Sequence, residues 1–179
     1  MARPAEPGRN NLLNAGMSVV DEHGLRGLSV NAVVSEADMS KGGFYQHFPD
    51  RRSYVVALHR RYHDELAALV VAAVGDREPG LDRLRTGLFA FLDATLKTRG
   101  TKAFIVQART EADLLDEVQQ RNAMFSELIS ADLEVLGWPD VRAVAHLVIA
   151  MGADISLQEL YAGGPRPDLR QALLDLVTR

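Results

Sequence analysis

The run Ser40-Lys41-Gly42-Gly43-Phe44-Tyr45-Gln46-His47-Phe48 gathers side chains suited to gripping a nucleic-acid duplex. Lys41, Tyr45 and His47 can reach phosphate oxygens, and Gln46 can hydrogen-bond a base edge. Ser40 is a good helix N-cap, and the free N–H groups at a helix start can receive a phosphate. Gly42 and Gly43 let the backbone approach DNA closely, at a cost of about 1 kcal/mol each in helix propensity relative to alanine. Arg51, just beyond, can reach the same strand. Phe44 and Phe48 are expected to point inward as core. Each residue alone has a plainer reading: Phe44 and Tyr45 as core aromatics, the glycine pair as a loop, Lys41 and Arg51 as solvated charges. Their combination at this spacing is what predicts DNA reading.

The elements that must hold these side chains are helical. Apolar residues recur at helical spacing almost throughout, and alternating strand-like runs are missing. Residues 1–8, with Pro4, Pro7 and Gly8, are expected to be a flexible arm. A first helix is predicted from Arg9 to Glu22, ended by Gly24. Ser29 caps a second, short helix from Val30 to Ala37, and is counted with the DNA-facing residues. Ser40 caps a third, which Pro49 stops near His47. Three helices so spaced suit a helix-turn-helix, with the third lying in the major groove, which is about 12 Å wide.

Residues 9–58 resemble the N-terminal domain of the TetR family of bacterial regulators. The resemblance rests on Val20-Asp21-Glu22-His23-Gly24, Leu28-Ser29-Val30, Val33-Val34 and Ala37-Asp38-Met39. The Ser40–Phe48 run and Pro49-Asp50-Arg51 complete it. Two positions depart from the family pattern. Asp38 stands where glycine is usual, and Arg51 replaces a lysine while keeping its charge.

Past this region the chain reads as a larger helical body. A fourth helix from Asp50 to Val74 carries the stripe Val55, Leu58, Tyr62, Leu66, Leu69 and Ala73. It is the expected lever between head and body. A fifth, opened by Pro79, carries Leu81, Leu84, Leu88, Phe91, Leu92 and Thr95. Further helices are predicted from Lys102 to Arg109, Leu114 to Leu136, Asp140 to Tyr161 and Pro167 to Val177. The fold class is therefore all-α with about nine helices. The domains expected are a DNA-binding domain over 1–52 and an effector-binding and dimerisation domain over 53–179.

The resemblance implies that the body binds a small molecule and that its last two helices form a two-fold dimer interface. The nearly all-round apolar surface of the helix from Asp140 supports burial on more than one side. A ligand pocket is expected between the fifth, seventh and eighth helices. Its candidate lining is Phe89, Phe91, Leu92, Phe104, Gln107, Met124, Phe125, Leu128, Trp138, His146, Ile149 and Asp154. Such a mix of apolar and few polar groups suits an apolar or amphipathic effector. The same aromatics and methionines also fit a plain core. His146 and Asp154 stand out, because burying them on an apolar helix requires a partner.

Composition sets the outer bounds. The 179 residues contain no cysteine, which removes disulfides, thiolate metal sites and cysteine nucleophiles. The formal net charge is −4, unevenly shared. Residues 1–63 hold eight basic and six acidic side chains and four of the five histidines, so the head is mildly basic and the body acidic. His59 and His63 could share a metal across one helical turn, with Asp64 adjacent, but no third ligand is evident. No metal, cofactor or membrane partner is expected. The polar start and the lack of a run long enough to span a bilayer point to a cytoplasmic location. No catalytic constellation emerges. The reading is of a regulator, most simply a repressor, that binds a palindromic operator in double-stranded DNA as a homodimer and is released by its effector. The rivals are an enzyme and a helical interaction module without DNA affinity.

Overall fold

The computed structural model describes residues 5–98, 100 and 102–178, and every regular element among them is helical. Eight α-helices are joined by turns and by one irregular helical stretch, making nine helical regions among the described residues. The chain packs into two units, one of residues 1–62 with 99–117, the other of 63–98 with 118–179. The first unit runs on past residue 52, through Tyr62, and takes in a later segment.

In the first unit, α1 spans Ala5–Gly27. The expected arm is thus helical from residue 5, and the rest of it, residues 1–4, lies outside the described residues. Pro7 sits in the first turn, where a missing N–H breaks no ladder bond. Gly24 does interrupt α1, with φ 65 and ψ −175, a conformation that favours glycine. Helix α2 spans Val30–Glu36, with the Ser29 hydroxyl accepting from the Ala32 N–H at 3.1 Å. Helix α3 spans Lys41–His47, and Ser40 accepts from the Gly43 N–H at 3.1 Å. Helix α4 spans Arg51–Val74, and the Asp50 carboxylate caps it by accepting from the Ser53 N–H at 2.7 Å.

An aromatic knot closes this head. Phe44, Phe48 and Tyr54 are buried, with ring centroids 4.9–5.7 Å apart, a spacing that favours tilted and edge-to-face pairs. The Tyr54 hydroxyl donates to the Leu12 carbonyl at 2.7 Å. Burial pushes the Tyr54 phenol well above its ordinary range. Gly16 makes this possible, since a Cβ there would overlap the Tyr54 hydroxyl.

Residues 102–114, expected as an α-helix to Arg109, instead form a π turn over Lys102–Val106 and 3-10 turns over Gln107–Thr110 and Ala112–Leu114. Ala103, Phe104 and Ile105 are buried in succession. A regular α-helix with one buried face does not bury three neighbours in a row.

The second unit is a helical bundle. Helix α5 spans Leu81–Lys97, α6 Leu115–Val135, α7 Val141–Ala162 and α8 Pro167–Val177. Its core joins Leu84, Leu88, Leu92, Leu133, Ala145, Val148, Ile155, Leu173, Leu174 and Val177. Buried charges hold the ends. Arg170 donates to both oxygens of Glu159 at 2.6 and 2.8 Å and to Asp93 at 2.7 Å. The Glu159 hydrogen bonds keep the Arg170 guanidinium firmly protonated. Asp132 accepts from the Gly80 N–H and from Arg83. The stripe on α4 behaves as expected through Leu66, but Leu69 and Ala73 are exposed.

Helix α7 corrects one expectation, because by length and composition it could cross a membrane. In this fold it packs against α5 and α8, and it carries Glu159 in the buried ion pair.

Candidate nucleic-acid interface

Helix α3 presents two faces with different chemistry. Phe44 is fully buried and Phe48 nearly so, as expected. Ser40, Lys41, Gly42, Tyr45 and Gln46 are exposed on the other side. Tyr45 is 53% exposed, yet its ring rests edge-on against Phe44 at 5.3 Å. The inner aromatic therefore orients the outer one. The two glycines differ. A Cβ on Gly43 would press on Met39, 3.2 Å away, whereas one on Gly42 would make only an ordinary contact with Ser40. Nothing inside the protein asks for glycine at 42, and the helix is weakened by it.

The turn before α3 is tightly braced. Asp38 has φ 49, the one positive φ at a non-glycine residue among those described, a region aspartate tolerates better than most residues. Two hydrogen bonds brace the turn: Met39 N–H to the Val34 carbonyl at 2.9 Å, and the Asn11 side-chain amide to the Ala37 carbonyl at 2.8 Å. Asn11 gave no sequence signal, since its partner lies 26 residues away.

Arg51 has partners within the protein. Its Nε donates to the Leu28 carbonyl at 2.8 Å and one Nη to Leu25 at 3.4 Å. Those carbonyls belong to the corner between α1 and α2, where the helical ladder has ended and acceptors need partners. His47 is half-buried, with its ring against Gly8 in the first turn of α1. Ser29 is exposed and caps α2. The guanidinium of Arg9 lies over the Phe48 ring at 5.1 Å.

The expected ligand lining draws residues from both units. Phe104 and Gln107 belong to the first unit. Phe104 is buried beside Tyr62 and His59, and Gln107 accepts from the Leu25 N–H. In the second unit, Phe91 and Phe125 pair at 5.9 Å, and His63 stands 6.3 Å from Phe125. Met124 takes a contact from Arg121, and Phe89 lies under the Arg170 guanidinium. Leu92 is core, Ile149 is half-buried and Leu128 is partly exposed. Trp138 donates to the Val177 carbonyl at 2.9 Å. His146 and Asp154 are exposed on α7, which removes the reason for reading them as buried ligand contacts. The helical period that placed them on an apolar helix could not say which side faced out. His59 and His63 are both buried. Among the described residues no three histidine or carboxylate groups lie close enough to share a metal.

A buried aromatic platform, a braced turn and a glycine-opened helix with cation, phenol and amide outward define a helix-turn-helix DNA-binding protein. Residues 12–58 match the model of the bacterial regulatory proteins of the tetR family. Over those residues the chain carries the DNA-binding domain of that family. No curated protein sequence matches the chain. Its fold is similar to that of a transcriptional regulator from Rhodococcus sp. RHA1, 24% identical, with TM-score 0.78 over 94% of this chain and 93% of that one. It is similar also to the multidrug binding protein EbrR complexed with imidazole, 22% identical, with TM-score 0.72 over 94% and 93%. RolR in complex with resorcinol shares the fold at 14% identity, with TM-score 0.70 over 98% and 87%.

Proposed function

We propose that this chain is a ligand-responsive repressor that binds a palindromic operator as a homodimer and leaves it when a small molecule binds. The observation that carries the DNA reading is the open approach at Gly42, flanked by exposed Lys41, Tyr45 and Gln46. Lys41 and Tyr45 hold phosphates, and Gln46 reads a base edge.

The dimer reading is supported by the outer face of α7. Leu147 is 58% and Tyr161 71% exposed, with His146 and Asp154 on the same helix and Leu176 exposed on α8. A second copy applied across a two-fold would cover them, and two recognition helices so related would meet half-sites about 34 Å apart or a multiple of it. The effector reading draws on the aromatic residues of the second unit, Phe89, Phe91 and Phe125. EbrR and RolR, of similar fold, hold the small ring compounds imidazole and resorcinol. An effector acts by favouring a dimer form that fits the operator less well, and α4, unbroken from Arg51 to Val74, is the lever. Such a protein works in the cytoplasm.

Selection of bound genomic fragments by the full chain tests this reading. A shared palindrome bound by two chains supports it. Recovery of no enriched sequence would contradict it.

A further inference from the structure

At Gly24 the backbone leaves the helical region, with φ 65 and ψ −175. That ψ swings the following peptide plane, so the Leu25 N–H no longer points down the α1 ladder. A donor left without a partner away from water destabilises the fold. Here the partner comes from 82 residues further on: Oε1 of Gln107 accepts from Leu25 N–H at 2.9 Å. Gly24 also provides the room, since a Cβ there would lie 2.9 Å from that same oxygen.

The opposite polarity at this corner is met by Arg51, which donates to the Leu25 and Leu28 carbonyls. The two sides of Leu25 are thus held by separate side chains, a donor from α4 and an acceptor from the irregular stretch. That stretch is fastened to the same unit at other points. The Gly100 N–H donates to Asp21 at 3.3 Å, Asp113 pairs with Arg52 at 3.5 Å, and Glu117 accepts from the Nε of Arg60 at 2.8 Å. The corner leads directly into Ser29, the cap of α2, and α2 packs on α3.

We propose that Gln107 is a positioning residue for operator reading: its side-chain carbonyl fixes the corner between α1 and α2, and through it the seat of α2 and α3. This rests on the DNA-binding reading above. Gln107 touches no DNA. It sets how much of the population holds α3 in the binding geometry, and apparent affinity scales with that fraction.

The test compares the wild-type full chain with Gln107→Met, which keeps the shape but lacks the acceptor, and Gln107→Glu, which keeps an acceptor. Operator affinity is read by anisotropy on the selected palindromic duplex. Exchange of the Leu25 amide is read by NMR. Emission of Trp138, the single tryptophan, which lies in the other unit, checks that the body stays folded. Gln107→Met is expected to weaken operator binding by about tenfold and to speed Leu25 exchange by a similar factor, as loss of one such bond implies. Gln107→Glu is expected to stay within about threefold of wild type on both counts, because the bond is retained.

Unchanged operator affinity in Gln107→Met overturns the proposal, as does equal weakening in both variants. Should Gln107→Met fail to fold, an unprotected Leu25 amide in the wild type overturns it, and protection kept in an operator-competent Gln107→Glu supports it. If the wild type binds no palindrome, the DNA reading falls and this proposal with it. Leu25 exchange then still reports whether the corner bond exists, so the two failures are distinguishable.

Discussion

The side-chain amide of Asn11 donates to the carbonyl of Ala37 at 2.8 Å, tying α1 to the turn that delivers α3. Replacing Asn11 by alanine leaves that carbonyl to water and frees the turn. The expected cost is about 1 kcal/mol in stability, with weaker operator binding as the recognition helix loosens. Urea unfolding and operator titration of Asn11→Ala measure both. Unchanged values for the two would show that the brace is dispensable.

Asp38 holds φ 49 beside α3. A left-handed backbone costs a non-glycine residue about 1–2 kcal/mol, partly offset here by aspartate's tolerance of the region. A carboxylate at this turn also repels phosphates. Asp38→Gly is therefore expected to raise operator affinity with little change in stability, since the strain relieved is countered by greater freedom of the unfolded chain. Titrations at two salt concentrations check the charge component. Its share of the gain should shrink as salt rises.

Two glycines separate what the fold requires from what the interface requires. At Gly16 a methyl group would overlap the buried Tyr54 hydroxyl, displacing its bond to Leu12. Gly16→Ala should lose about 2 kcal/mol or more of stability through overpacking. At Gly42 the space is open. Gly42→Ala should stabilise the helix by up to about 1 kcal/mol and yet weaken operator binding. Thermal unfolding and DNA titration of the pair provide the comparison. Tighter binding by Gly42→Ala would mean that the opening has another cause.

Arg170 shields the fully buried carboxylate of Glu159. Arg170→Met leaves that charge without its main partner, and about 3–5 kcal/mol of stability should be lost. The double change Arg170→Met with Glu159→Met should recover much of it, because the uncompensated charge is gone. Trp138 emission during unfolding follows this region directly through its bond to Val177 in α8.

These residues also show what could be read in advance. The caps Ser29 and Ser40, the stop at Pro49 and the inward turn of Phe44 and Phe48 all depend on neighbours three or four positions away, and such signals are visible in sequence. Asn11, Gln107 and the inward use of Arg51 depend on partners 23–82 residues off, and no local pattern marks them. The helix from Lys102 failed for a different reason. Apolar residues there fit more than one helical winding, so their spacing does not distinguish the π turn over Lys102–Val106 from an α-helix. His146 and Asp154 lie on a helix so apolar that its period does not distinguish a core face from a face open to solvent or a second subunit.

The most direct measurement is the affinity of the wild type, Lys41→Ala and Gln46→Ala for the selected palindrome and for single-base variants of it, across a range of salt. Wild-type affinity should fall steeply with salt, with two chains bound per palindrome. Lys41→Ala should bind all sequences more weakly, with a salt slope reduced by about one phosphate contact per subunit. Gln46→Ala should lose discrimination at one base pair in each half-site, worth about 1–3 kcal/mol. Salt-insensitive binding, or variants indistinguishable from wild type, would contradict the assignment of α3 as the helix that reads DNA.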